Sequence, residues 1–135
     1  MNKKIIFAVM LIAFVLAGCG NAGPSSNQGT NSESMPSAYA GKTNPLGAEA
    51  VPVGAKIFKD YCAACHGESG HGDGPSGAAL EPHPKNLAAL QPQVSDDYLF
   101  WRINNGKQGT AMAAWKGALT EEQIWQVIAF IRTLK

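Results

Sequence analysis

The sequence lacks a run long enough to span a bilayer, an excess of charge of either sign, and the cysteine content of a disulfide-stapled domain. Its longest apolar run, Ile5 to Ala17, falls short of the about 20 residues a membrane helix needs. With Lys3 and Lys4 ahead of it, the run has the layout of a secretory signal that is removed, so the chain is expected to leave the cytoplasm. Eleven basic residues stand against ten acidic ones, and losing Lys3 and Lys4 with the signal leaves nine against ten. With that balance, strong steering of partners by one sign of charge is not expected, and nothing suggests nucleic-acid binding. Three cysteines are too few for a disulfide framework, and free thiols are out of place in an oxidising compartment. Each cysteine therefore needs another use.

Two of them lie in Cys62-Ala63-Ala64-Cys65-His66. C-x-x-C-H is the pattern by which a c-type haem is attached covalently. Two thiols so spaced reach the two vinyl groups of one porphyrin, and the adjacent imidazole then lies under the iron, which makes His66 the expected proximal ligand. C-x-x-C also occurs as half a zinc site or as a redox dithiol. The third cysteine closes Leu16-Ala17-Gly18-Cys19, which resembles the lipobox of bacterial lipoproteins. That resemblance implies cleavage before Cys19 and a lipid on it, holding the protein to a bacterial membrane on the non-cytoplasmic side. One lipid and one haem would use all three cysteines.

Composition divides the rest. Residues 1–18 read as the lipoprotein signal, 19–50 as a flexible lipid-anchored tether rich in Gly, Ser, Asn and Pro, and 51–135 as one small domain. A domain of about 85 residues has a modest core, to which a covalent haem would add apolar bulk. Three helices and no convincing strand are expected. The first covers Val53 to Cys62, with Val53, Ile57, Phe58 and Tyr61 at helical spacing. The second starts after Ser95 as N-cap, with Asp96 and Asp97 in its first turn, and stops near Asn104-Asn105-Gly106. The third opens with a Thr120/Gln123 capping box and a Leu119/Ile124 staple, and buries Ile124, Val127, Ile128, Ile131 and Leu134. A long Gly- and Pro-rich stretch between the first two helices is reasonable if it wraps a cofactor.

For a second axial ligand, Met1 and Met10 fall in the signal and Met35 in the tether, leaving Met112 in Gly109-Thr110-Ala111-Met112. A lone methionine also serves to fill gaps in a core. His71 follows His66 too closely to reach the opposite face easily, and His83 sits between Pro82 and Pro84. Both read as loop histidines.

From Gly54 to Leu134 the chain resembles a class I cytochrome c. Gly54 and Phe58 precede the motif at the spacing that family uses where its first and last helices cross, and Val127 and Phe130 fall where the partner residues are found. The stretch from Met112 to Gln123 is similar to the axial-methionine loop and final helix of short bacterial members. The resemblance implies an all-α cytochrome c fold wrapped around one haem c on Cys62 and Cys65, with His66 and Met112 as iron ligands. It also implies that a proline carbonyl, here Pro75, accepts the proximal histidine's hydrogen bond. Trp101, Arg102 and Lys107 are candidates for holding the propionates, whereas Trp125 reads as a packing residue. The implied function is an electron carrier, not an enzyme, moving single electrons between respiratory or photosynthetic redox proteins. The alternatives are a fixed subunit of a membrane redox complex and, with an open iron position, a haem enzyme or gas sensor. Outside a complex the protein is expected to be monomeric. The loop Ala111-Met112-Ala113-Ala114 is the expected docking edge.

Overall fold

The computed structural model describes residues 33–135. The expected signal, Cys19 and the stretch up to Ser32 lie outside the described residues. The described residues form five helices and no strand: α1 (Val51–Tyr61), α2 (Ala63–His66), α3 (Leu87–Leu90), α4 (Asp96–Asn105) and α5 (Glu121–Ile131). Short 3-10 turns precede α1 at Ala48–Ala50 and follow α3 at Gln91–Gln93. None of these helices is long and apolar enough to cross a membrane.

The core is built on the crossing of α1 and α5. Gly54, buried on α1, lies against the backbone of α5, where a Cβ would collide with the Gln126 carbonyl and press on the Phe130 side chain. Phe58 follows one turn later, 1 % exposed, its ring 5.1 Å from that of Phe130. Val127 and Ile128 have no exposed surface. The expected apolar face of the last helix is therefore the one buried, although Leu134 packs into the core from beyond the end of α5. Its N-terminus is fixed as expected: the Thr120 amide donates to Gln123 Oε1 (2.8 Å) and the Gln123 amide to Thr120 Oγ1 (3.2 Å).

α1 starts two residues earlier than periodicity suggested, with Pro52 in its first turn, where a missing N–H costs nothing. Helix α4 begins after Ser95 as expected, but the Ser95 hydroxyl does not cap it. That hydroxyl instead donates to Asp97 Oδ1, which also accepts from the Tyr98 amide. Asp97 Oδ2 accepts from the Gly41 amide at 2.7 Å.

The last contact belongs to a segment composition assigned to the tether. Tyr39 lies half-buried against the core, its ring 6.2 Å from Phe100, and its hydroxyl accepts from the side-chain amides of Asn104 (2.8 Å) and Asn105 (2.7 Å). Asn44 donates from its side chain to the Trp125 carbonyl and from its backbone to Asp96 Oδ2. Residues 33–50 thus form a strap across α4 and α5, and the packed body begins near Glu33, well before residue 51. Composition concealed this because one tyrosine, one asparagine and a few backbone amides hold the strap, with no sustained apolar period. At the other edge Arg132 ties α5 to the chain before α4, donating to Asp96 Oδ1 and to the carbonyls of Gln91 and Val94.

Gly54→Ala is expected to destabilise the protein by about 1–3 kcal/mol, since the collision is with backbone and has no flexible end to yield. Thermal melting of the variant beside wild type checks this. Asp97 sits below its ordinary 3.8 because of the Ser95 hydroxyl first and the Gly41 amide second. A lowered folded-state pKa gives stability that is present above the unfolded value and is lost as pH falls through the folded one. Asp97→Asn is expected to cost about 1.5–3 kcal/mol near neutrality, by the usual worth of hydrogen bonds to a charged group. That deficit should shrink below 3.8, which denaturant melts at both pH values will read.

Candidate functional site: an apolar cavity walled by a thiol pair, an imidazole and a thioether

The turn joining α1 to α2 places Cys62, Cys65 and His66 together. The amides of Cys65 and His66 both donate to the Cys62 carbonyl, at 3.2 and 2.9 Å. The chain then doubles back. The amides of Ser76, Gly74 and Gly72 donate to the carbonyls of Ala64 (2.8 Å), Cys65 (3.2 Å) and His66 (2.7 Å), so a Gly-rich loop satisfies the carbonyls a four-residue helix leaves open. Gly74 is required because a Cβ there would stand 2.5 Å from both the Ala63 and Ala64 oxygens.

The loop continues into the far wall of a cavity of about 250 Å³. Cys62, Cys65, His66 and Met112 all line it, with an apolar surround that includes Phe58, Leu99, Ile103, Trp115, Val127 and Ile131. Of the propionate candidates, Arg102 and Lys107 reach the cavity, while Trp101 is 2 % exposed and packed away from it. Trp125 packs on Phe100 with ring centroids 4.4 Å apart, as a core residue. His83 lies on the wall between Pro82 and Pro84, with its Nδ1 3.4 Å from the Gly77 carbonyl. His71 faces the Lys135 carbonyl at 3.1 Å and is no part of the cavity. Met35, on the strap, does not line it either.

His66 Nδ1 stands 3.1 Å from the carbonyl of Lys85. A carbonyl only accepts, so Nδ1 carries the proton and Nε2 keeps its lone pair. Burial holds the His66 pKa below its ordinary 6.5 against the opposing effect of that bond, so the ring is neutral and able to ligate. The accepting carbonyl corrects the expectation for Pro75, which is exposed on the return loop. The bond runs to a residue ten positions further on, after the loop has turned back. Only the placement of the backbone selects that carbonyl, and no side-chain pattern marks it.

Burial, with Cys65 adding to it, pushes the Cys62 thiol up to about 12. Metal-binding cysteines act as thiolates, which this environment opposes. No group of three or more His, Cys, Asp and Glu side chains is arranged to hold a metal ion among the described residues. Two thiols, an imidazole with a free Nε2 and a thioether around an apolar cavity instead suit a covalently held haem. Met112 is set on its loop by a tight turn: the Lys107 amide donates to the Met112 carbonyl (3.0 Å), and Thr110 Oγ1 donates to the Lys107 carbonyl (2.8 Å) while accepting from the Met112 amide (3.2 Å). Ala111, Ala113 and Ala114 around it are exposed.

Comparison with known proteins identifies the family. Residues 49–131 match the family described as cytochrome c oxidase, cbb3-type, subunit III. A cytochrome c6 from Synechococcus elongatus is 36 % identical over 78 residues, covering 58 % of this chain and 83 % of the relative. The cbb3-type cytochrome c oxidase subunit FixP from Bradyrhizobium sp. (strain ORS 278) is 34 % identical over 83 residues, 61 % of this chain but 27 % of its own length. Among solved structures, cytochrome cL from Hyphomicrobium denitrificans aligns with a TM-score of 0.50 at 27 % identity, over 63 % of this chain and 47 % of that one. A chain of the reducing HAO-like protein complex from Kuenenia stuttgartiensis aligns with a TM-score of 0.57 at 23 % identity, over 67 % and 47 %, a likeness of fold. The chain spans just under half of those two solved chains and about a quarter of FixP.

Proposed function

Because the chain belongs to the class I c-type cytochromes, through a domain of the cbb3-type subunit III family, and so carries covalently attached haem c in electron transfer, we propose that it is a membrane-tethered single-electron carrier. In this reading Cys62 and Cys65 would hold the haem covalently, and His66 and Met112 would ligate its iron. The observation that carries it is the convergence of those four side chains on one apolar cavity. Bound there, haem c would supply a one-electron iron couple, whose potential imidazole and thioether ligation would raise.

The chain's own residues do the rest. The Lys85 carbonyl fixes the tautomer and orientation of His66; the Lys107–Met112 turn holds the thioether; the apolar walls keep water from the cofactor. The exposed alanines beside Met112 form a smooth rim on which a redox partner docks. On the membrane side, residues 1–18 act as a signal and Cys19 carries the lipid, which places the haem domain outside the cytoplasm.

A second reading, a fixed subunit of a membrane redox complex, is favoured by the family match and by the likeness to FixP. Purification in mild detergent separates the two: a free shuttle emerges alone, and a subunit emerges with its neighbours.

Visible spectra of the holoprotein test the ligands. Wild type should show sharp reduced bands and, when oxidised, the weak long-wavelength band of sulfur on ferric haem. Met112→Ala should lose that band entirely, and Thr110→Val should weaken it by loosening the turn. An unchanged Met112→Ala spectrum would overturn the assignment. Ala113→Glu should slow electron exchange with the partner about tenfold, as a buried unpaired charge at a docking rim costs about 1.4 kcal/mol or more. Stopped-flow reduction would reveal this, and equal rates would remove the rim from the docking surface.

A further inference from the structure

Arg102, on α4, lines the same cavity, where it is a candidate for holding a propionate, and the electron-carrier reading gives it no further use. Its guanidinium lies 4.1 Å from the centroid of the Trp101 ring and 5.7 Å from that of Tyr98. Its side chain is 12 % exposed. Nη1 donates to the Gly106 carbonyl at 3.0 Å. Nε is buried with no hydrogen-bond partner among the described residues. A cation held this far from solvent is poorly screened, and its field extends into the cavity. Among the described residues one carboxylate meets it: Glu33 Oε2, 2.7 Å from Nη1 and 69 positions earlier in sequence. Glu33 is the first residue of the strap, on the stretch that leads back toward Cys19.

We infer that Glu33 is a potential-setting residue, acting on the haem site through Arg102; the inference rests on the haem reading above. With Glu33 docked, the Arg102 charge is cancelled at the cavity wall, which favours the oxidised, more positive site. With Glu33 removed, the bare guanidinium favours the reduced site. By reciprocity, oxidation strengthens strap docking and reduction weakens it, so the first residue of the strap is coupled to the redox state. An ordinary exposed ion pair would have no such effect, being screened and worth little. The burial of Arg102 and its place on the cavity wall give this pair its reach.

The test is a spectroelectrochemical titration of the full-length holoprotein as wild type, Glu33→Gln, Arg102→Gln and the double variant. Glu33→Gln should shift the equilibrium toward the reduced form by threefold to tenfold, a tenfold change being about 59 mV for one electron. Glu33→Gln should add nothing further in the Arg102→Gln background. An unchanged midpoint in Glu33→Gln with a normal haem spectrum, or an equal shift in both backgrounds, overturns the inference and leaves the carrier reading intact. Absence of a c-type spectrum in wild type overturns the carrier reading itself. Glu33→Gln alters an exposed side chain and leaves α4 untouched, so its midpoint decides even if Arg102→Gln fails to take up haem.

Discussion

Two helix backbones meet at Gly54, and the cavity depends on that meeting. The hydrogen in place of a side chain lets α1 settle against the Gln126 carbonyl of α5. This brings Phe58 onto Phe130 and sends the end of α1 straight into the thiol pair. Val127 and Ile131, on the opposite helix, form the floor under the cavity. A wider crossing would open the floor and turn Cys62 away from it, so one missing Cβ links the packing of the core to the geometry of the site.

Around that crossing, the molecule relies on the main chain where a larger protein would use more core. The loop after α2 folds back and pairs its amides with the carbonyls of Ala64, Cys65 and His66. The Met112 turn is closed by one threonine hydroxyl and two backbone bonds. The strap is held by Asp97, Asn44 and Tyr39, each reaching across α4 or α5. Such bonds contribute only about 0.5–1.5 kcal/mol each. Together they order segments that carry too few apolar side chains to order themselves.

What the sequence made legible was whatever has a period or a fixed spacing. The last helix was readable from Thr120, Gln123 and the apolar face, since capping and periodicity are local. That the thiol pair, His66 and Met112 belong to one site was legible from the fixed spacing of the first three and the scarcity of methionines, and all four line the cavity. The acceptor for His66 was misassigned to Pro75 because the true one is a backbone atom of Lys85, chosen by how the return loop lies. The strap was read as tether because its anchoring residues are isolated among Ser, Pro and Gly. Ser95 looked like a cap, and its hydroxyl was drawn instead to Asp97, a stronger acceptor two residues away. Residues α3 contributes were missed because four residues are too few for a helical period to show.

The bond from His66 to the Lys85 carbonyl also determines which kinds of genetic change the site tolerates. Every residue type at position 85 brings a carbonyl, so point substitution there leaves the acceptor in place. Insertions or deletions between Gly67 and Lys85 are another matter, since they would slide a different carbonyl, or none, under the imidazole. The composition of this loop is therefore freer to drift than its length. In descendants of this sequence, residue count between His66 and position 85 should be kept more strictly than the identity of the exposed residues it contains.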